Sequence, residues 1–209
     1  MKPLLPILLL LAAYPARAEI IDRIAAVVDR QVITLSELNQ IVELEILPPA
    51  AGEDPAAYRR RVLDRMITQV LRYRDVERFG AGDVPADSIE ATLRGIIARY
   101  PSEEAFMEAL ARVELTLDQV RTLIKRNQQV QRFIDERFAP LIFVSLDEIE
   151  THYDTVWAPA RRAQGLPVPP LSQVREQMRR DVRQERLDLE IERWTDQLRS
   201  RANIDIFVF

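Results

Sequence analysis

Apolar and polar positions near the start of the chain follow the period of a β-hairpin and then that of a helix. Residues 24–28 form an apolar, partly β-branched run, and Val32 and Ile33 resume it after a polar turn. This pattern predicts two short strands. Thr34 and Glu37 have the spacing of a capping box, in which each side chain satisfies a free amide of the other residue. A helix should therefore begin directly after the second strand.

The far end of the chain carries a third strand pattern. Residues 204–208 alternate, with Ile204, Ile206 and Val208 on one face. Two short strands are marginal alone and need further partners. We therefore expect both ends of the chain to share one small sheet, with the N-terminal strand region beginning at Ile20.

Between these strands, apolar residues recur at helical spacing. The predicted helices cover residues 35–47, 55–79, 85–100, a short stretch after 102, 116–138, a stretch after 145, and 172–201. The apolar sector of helix 55–79 is broad, which suits a central helix packed on two sides. The stripe of the last helix shifts between Val182 and Leu187, so its two halves should meet different partners.

Two further features complete the predicted organisation. Pro48 and Pro49 should end the first helix, because proline cannot continue a helix. Residues 141–144 should be extended. Residues 157–171 contain four prolines and one glycine, so this linker cannot be regular structure along its whole length. The predicted fold class is mainly α, a helical core with a small sheet formed by the N-terminal strands and the C-terminal strand.

The first 18 residues have the pattern of a signal peptide. Lys2 is a minimal basic region, residues 4–13 are apolar, and residues 16–18 read Ala-Arg-Ala, a small-residue cleavage site. The apolar run falls short of the roughly 20 residues that span a bilayer. We expect cleavage after Ala18 and export to the periplasm; the alternative is an uncleaved N-terminal anchor.

Composition excludes several classes of function. The chain has no cysteine, so no disulfide framework can support an exported protein. Its formal net charge is −4, and loss of Lys2 and Arg17 with the signal peptide lowers this by two, to −6. Nucleic acid is a poor partner, because phosphate binding needs a basic surface.

Candidate catalytic chemistry is sparse. His152 is the single histidine and lies beside Asp154, so we expect a surface residue rather than a catalytic one. No phosphate-binding loop, dinucleotide motif or nucleophile elbow occurs. Acidic pairs such as Glu103 and Glu104 lie at helix starts, where the helix dipole favours negative charge. We predict no catalytic residue, no cofactor and no metal ligand.

Methionine and aromatic side chains offer adaptable apolar contacts. We predict an adaptable apolar binding groove formed by Met66, Ile67, Val70, Met107, Phe106 and Phe133. The alternative is that these are ordinary core residues.

Several segments together resemble one known family. The segment IIDRIAAVVDRQVITLSELN closely resembles the opening of the SurA family of periplasmic chaperones, and it directly follows the predicted signal peptide. The resemblance continues through RRRVLDRMITQVLRYRDVERFG, DVPADSIEATLRGI, TLDQVRTLIKRNQQVQRFIDERF and VSLDEIETHYD, and ends with the segment SQVREQMRRDVRQERLDLEIERWTDQLRSRANIDIF. Pro85 stands where the family usually has a capping serine.

The departure from the family pattern is a missing module. Typical members carry one or two parvulin-type prolyl isomerase domains before the C-terminal helix, and here only residues 157–171 bridge that gap. The resemblance implies an N-terminal helical chaperone domain over residues 19–156, a proline-rich linker over 157–171, and a C-terminal helix and strand over 172–209 that pack back on it.

The function that the resemblance implies is that of an ATP-independent holdase. Such a chaperone binds unfolded outer-membrane or secreted polypeptides, without isomerase activity and without stable membrane insertion. Two alternatives remain: an interaction module dedicated to one envelope or secretion partner, and an enzyme of unfamiliar type.

Overall fold

The computed structural model describes residues 22–80 and 82–207. The predicted signal peptide, Ile20 and Val208 lie outside the described residues. The described chain is mainly helical with a small antiparallel sheet, which confirms the predicted fold class.

The sheet joins the two ends of the chain. Its strands are β1 (Ile24–Val28), β2 (Gln31–Thr34) and β3 (Ile204–Ile206), in the order β2-β1-β3. The central strand β1 is antiparallel to both neighbours, and Ala26 lies opposite Ile206. The predicted closure of the chain through its ends is therefore confirmed. The inner face of β3 is only partly covered, because Ile206 is exposed.

One aspartate connects the hairpin turn to the last strand. Asp29 adopts a left-handed backbone conformation with φ of 53°, which aspartate tolerates better than most residues. Its backbone N–H donates to the Asn203 carbonyl at 2.7 Å, and its Oδ1 accepts from the Asn203 N–H at 2.8 Å. Arg74 donates to Oδ2 at 2.5 Å. These contacts hold the turn, the C-terminal strand and the central helix together.

Eight α-helices make up most of the remaining regular structure in the described residues. They are α1 (Leu35–Glu43), α2 (Pro55–Phe79), α3 (Ala86–Ile97), α4 (Glu103–Arg112), α5 (Leu117–Arg137), α6 (Leu146–His152), α7 (Ala158–Ala163) and α8 (Leu171–Arg201). Capping boxes open α1, α5 and α6 as their sequences predict. Helix α3 has no side-chain cap, since Pro85 stands at that position.

The first helix ends earlier than the prolines predict. Helix α1 stops at Glu43, and Glu45 has a φ of 47°. The Ile46 N–H then bonds back to the Ile41 carbonyl at 3.3 Å, as in a left-handed helix terminus. A non-glycine residue in this conformation ends the helix, so the prediction of a helix to Leu47 was wrong.

Helix α2 is the central element, as its broad apolar sector predicts. It contacts β1, β2, α1, α5 and α8. On one side Val62, Leu63 and Ile67 pack with the sheet and α1. Further along, Val76 packs with α5 and with Trp194 of α8. A separate cluster, centred on Phe106, joins α3, α4 and the start of α5.

The proline-rich segment, residues 157–171, is partly helical. A π-helical turn at Tyr153–Trp157 continues α6, and α7 follows it. Pro159 lies inside this continuous helical run, directly after the π-helical turn, and a proline or a π-helical turn is where a helix departs from its regular hydrogen-bond pattern. Gly165, with φ of 68°, comes two residues after this helix, and residues 166–170 have no regular structure. The prediction that residues 157–171 are not regular throughout is therefore confirmed. A tight 3₁₀ turn at Ala139–Leu141 likewise precedes the extended chain predicted from Leu141.

Helix α8 meets different partners along its length, as predicted. Met178 and Val182 are buried in its first half, which contacts α6. Trp194 and Leu198 lie in the second half, against α2. Helix α8 therefore connects the central helix α2, beside the sheet, with α6, which precedes the proline-rich segment.

Candidate functional site

Three of the six predicted contact residues lie on helix α2. Ile67 is only 1% exposed and belongs to the cluster beneath the sheet. Met66 and Val70 are partly buried and pack against the same cluster. The sheet and α1 therefore already cover this part of α2.

The other three predicted contact residues lie in different places. Phe106 is 2% exposed, in the cluster of α3, α4 and α5. Met107, its neighbour, is 44% exposed. Phe133 packs against Phe138 and Trp194, with ring centroids 6.1 and 5.5 Å away.

The structure does not bring these six side chains together. Five of them belong to three separate apolar clusters, Met107 belongs to none of the three, and Ile67 and Phe106 have the burial of core residues. The broad sector of α2 is filled from within the chain, which explains why it leaves no groove there. Met107 alone among the six is exposed.

A different apolar surface is open to solvent. Phe143 is 78% exposed, Leu141 is 69% exposed, and Leu189 of α8 is 50% exposed. Together with Ile142 and three polar residues of α8, they line a groove with a volume of about 410 Å³. We call this the Phe143 groove; its lining residues are Leu141, Ile142, Phe143, Arg186, Leu189, Glu190 and Arg193. Leu146, at the start of α6, is also exposed nearby in sequence.

Arginines of α8 hold the wall of this groove in place. Arg183 donates to the Ala139 carbonyl at 2.9 Å. Arg186 donates to the Phe143 carbonyl and pairs with Glu148. Glu148 in turn caps α6 through Ser145. The backbone of the segment is thereby fixed to α8 while the Phe143 side chain remains free to contact another molecule.

The sequence offered a partial signal for this surface. The run Leu-Ile-Phe-Val at residues 141–144 follows Pro140, and a run of that kind in extended conformation presents side chains to two sides. Leu189 stands off the apolar stripe of α8. Neither observation alone distinguishes a buried strand from an exposed edge, so the groove was missed.

His152 corrects another expectation. The sequence predicted a surface residue, but the imidazole is buried between α6 and α8. Its Nδ1 lies 3.6 Å from Glu185 Oε2. The polar sequence around His152 concealed this burial, because the covering residues come from the distant helix α8.

Several charged side chains of the described surface form ion pairs with neighbours. Glu53, beside Arg61, shows the largest effect: the hydrogen bond from Arg61 and a second from the Ala50 amide lower the pKa of this carboxyl to about 2. Within residues 22–80 and 82–207, no group of three or more acidic or histidine side chains is arranged to hold a metal ion. No helix in those ranges is both long enough and apolar enough to cross a bilayer.

The described residues thus form a mainly helical protein whose first and last strands share one sheet, with an exposed groove lined by apolar and charged side chains. Curated proteins resemble the chain over about 70% of its length. The chain is 32% identical to a Chaperone SurA of Pseudomonas putida over 153 residues, which cover 70% of this chain and 35% of the relative. It is 30% identical to the Chaperone SurA of Alkalilimnicola ehrlichii over 163 residues, covering 71% of this chain and 35% of that relative.

A third relative gives the same result at lower identity. The Chaperone SurA of Saccharophagus degradans is 25% identical over 146 residues, covering 66% of this chain and 34% of the relative. No protein-family model matches the chain. The chain is a SurA-like protein, and the matched part spans about a third of the length of these curated relatives.

Proposed function

We propose that this chain is an ATP-independent periplasmic chaperone that holds unfolded outer-membrane or secreted polypeptides. The similarity to several SurA chaperones over about 70% of the chain carries this proposal. The exposed groove beside Phe143 supports it, because a holdase must present apolar surface to solvent. The acidic net charge of −4 argues against nucleic acid as the ligand.

The Phe143 groove is the proposed client contact. Strands of outer-membrane barrels are extended, with an apolar face and aromatic girdles, and such side chains fit an open groove lined by Leu141, Phe143 and Leu189. Met107 is a second proposed contact, since it alone of the six residues predicted from sequence is exposed. The remaining five have less exposure and serve mainly the core.

Affinity should be moderate. Each large apolar anchor contributes about 1.5–3 kcal/mol on burial, and ordering a disordered client costs about 2–5 kcal/mol. Four or five anchors less that cost leave about −7 kcal/mol, a Kd of several micromolar. A complex of that strength releases its client without ATP.

The prolyl isomerase activity of typical SurA members should be missing. The matches cover about a third of each curated relative, and residues 157–171, where the family carries the parvulin domain, form only a short helix and a proline-rich segment. We propose that the chain works by binding alone.

Export rests on the N-terminal pattern. We propose that cleavage after Ala18 releases a mature chain that begins at Glu19. Intact mass of the protein recovered from the periplasm tests this. A mass that still includes residues 1–18 would contradict both the cleavage and the free periplasmic form.

Aggregation of a denatured outer-membrane barrel protein tests the function. The purified protein should suppress light scattering at near-stoichiometric ratio with no nucleotide added. Phe143→Asp should weaken the suppression, whereas Leu166→Asp, an exposed leucine in the proline-rich segment, is the matched control and should not. Folded wild-type protein that leaves aggregation unchanged at several-fold excess would contradict the chaperone proposal and favour a module dedicated to one partner.

A further inference from the structure

Helices α2 and α8 exchange arginine–threonine contacts where they cross. Arg72 of α2 donates from Nε and Nη2 to Thr195 Oγ1 of α8, at 2.9 and 2.7 Å. One turn away, Arg199 of α8 donates to Thr68 Oγ1 of α2 at 2.6 Å. On each helix the threonine and the arginine are four residues apart and share one face. Two guanidinium groups are therefore held on consecutive turns of the same crossing.

The hydroxyl groups that hold these guanidinium groups are shielded from water. Thr68 and Thr195 are both buried. Trp194 lies beside them, with its ring centroid 5.8 Å from the Arg72 guanidinium carbon. The arginines are therefore positioned by the fold, since surface chains without such contacts would sample many rotamers.

The arginines at this crossing outnumber the carboxylates that form ion pairs with them. Asp64 pairs with Arg199 at 2.6 Å. In the described part of the chain, no carboxylate lies within ion-pairing distance of Arg72 or of the exposed Arg65, one turn before Thr68. The nearby Asp75 carboxylate accepts a hydrogen bond from Trp194 Nε1 instead.

The ionisation of Arg72 reflects this imbalance. Burial is the main cause that lowers the pKa of its guanidinium, and the charges of Arg65 and Arg199 lower it further. A partly buried cation that lacks a counter-charge is costly. A bound anion would relieve both the desolvation and the repulsion.

We propose that the α2–α8 crossing is a binding site for an oxyanion of the phosphate class, held by Arg72 and Arg65 with Arg199 beside them. Guanidinium groups match phosphate oxygens through charge-assisted, paired hydrogen bonds. Among the described residues, Asp64 is the one carboxylate that forms an ion pair with any of these three arginines, so a ligand with more than one negative charge suits the site better than a carboxylate. The site involves none of the residues of the Phe143 groove and does not depend on the chaperone proposal.

Tryptophan fluorescence can report the binding directly. The chain has two tryptophans, so Trp157→Phe leaves Trp194 as the single reporter, beside Arg72. Inorganic phosphate, titrated at constant ionic strength, should give a saturable change in this background. Adding Arg72→Gln should weaken the apparent affinity by about tenfold or more, as expected for loss of a charge-assisted hydrogen bond.

Two further variants separate binding from folding. Arg65→Gln changes an exposed side chain and should weaken phosphate binding several-fold with an unchanged circular dichroism spectrum. Arg94→Gln, an exposed arginine on α3, is the matched control and should bind as the parent does. Equal phosphate affinity in the parent, Arg65→Gln and Arg72→Gln would overturn the site.

Other anions test the ligand class. If glycerol phosphate gives the same saturable fluorescence change as inorganic phosphate, the site is supported and its natural ligand would be a phosphate monoester such as a lipid headgroup. Binding of inorganic phosphate alone supports the site with the free ion as the source. Acetate that acts at the same concentrations as phosphate would overturn the phosphate assignment, and a change that follows ionic strength without saturation would overturn the site.

Discussion

Trp194 is the residue whose removal should most directly undo the docking of α8. Its buried ring packs against Phe133 and Phe138, with centroids 5.5 and 5.4 Å away. Its Nε1 donates to Asp75 at 3.0 Å. One side chain thus joins α8 to α5 and to the central helix α2.

The expected cost follows from these contacts. Trp194→Ala removes a large buried side chain, which costs about 3–5 kcal/mol of unfolding free energy. Trp194→Phe keeps most of the aromatic packing and loses the hydrogen bond to Asp75, so it should cost less, about 1–2 kcal/mol. Trp157→Ala is the matched control, because Trp157 is less buried and its ring stacks on Tyr153 at 5.6 Å.

Urea unfolding followed by far-ultraviolet circular dichroism measures these costs. With an m-value of about 2–3 kcal/mol/M, Trp194→Ala should lower the midpoint by more than about 1 M. The Trp157→Ala midpoint should change less than that of Trp194→Ala. A Trp194→Ala midpoint within about 0.3 M of wild type would refute the reasoning that this side chain anchors the C-terminal helix.

Three further predictions concern the sheet, its turn and the chemistry. Deletion of residues 204–209 should lower the melting temperature through loss of the β1–β3 bonds and of half-buried Ile204; an unchanged melting temperature would contradict the pairing. Two hydrogen bonds lower the pKa of the Asp29 carboxyl: mainly the one from the backbone N–H of Asn203, and next the one from the Arg74 side chain. The charge of Asp29 therefore stabilises the fold above the ordinary carboxyl pKa of 3.8, and this contribution is lost as pH falls through the lowered value. Asp29→Asn should thus unfold more easily than wild type at pH 7 and equally easily near pH 2 in urea titrations, whereas an equal difference at both pH values would contradict this. Proline-peptide isomerisation should not be accelerated by the homogeneous protein, and catalysis that survives purification would show that an isomerase site exists.

Local sequence signals predicted much of the fold. The capping boxes at Thr34, Thr116 and Ser145 place the starts of three helices, because the interactions that define a cap lie within four residues. The strand alternation near each terminus was enough to predict a shared sheet, since short strands need partners. The shifted stripe of α8 likewise predicted its two sets of neighbours.

Two kinds of feature were not predictable in this way: an unusual local backbone conformation and burial by distant residues. The end of α1 is set by the left-handed conformation of Glu45, and glutamate carries no glycine-like signal for it. His152 is buried by α8, a helix that begins only at Leu171. Ile67 and Phe106 have the apolar character of a binding surface, but neighbouring helices cover them.

The candidate site shows the same distinction. Apolar character can be read from sequence, whereas exposure is a property of the packed chain. Phe143 is apolar and exposed because Arg186 of α8 holds its backbone at the surface. The proposed class of ligand and kind of side chain therefore come from the sequence, and the proposed location comes from the exposure of Phe143.

Binding of an unfolded barrel strand to the purified protein tests the central claim most directly. The measurement is fluorescence anisotropy of a labelled, aromatic-rich peptide titrated with wild type, Phe143→Asp and the control Leu166→Asp. Micromolar binding by wild type and by Leu166→Asp is predicted, with affinity at least about tenfold weaker for Phe143→Asp, as expected for loss of one aromatic anchor. No binding by folded wild-type protein, or equal binding by all three proteins, would contradict the account of a holdase that works through the Phe143 groove.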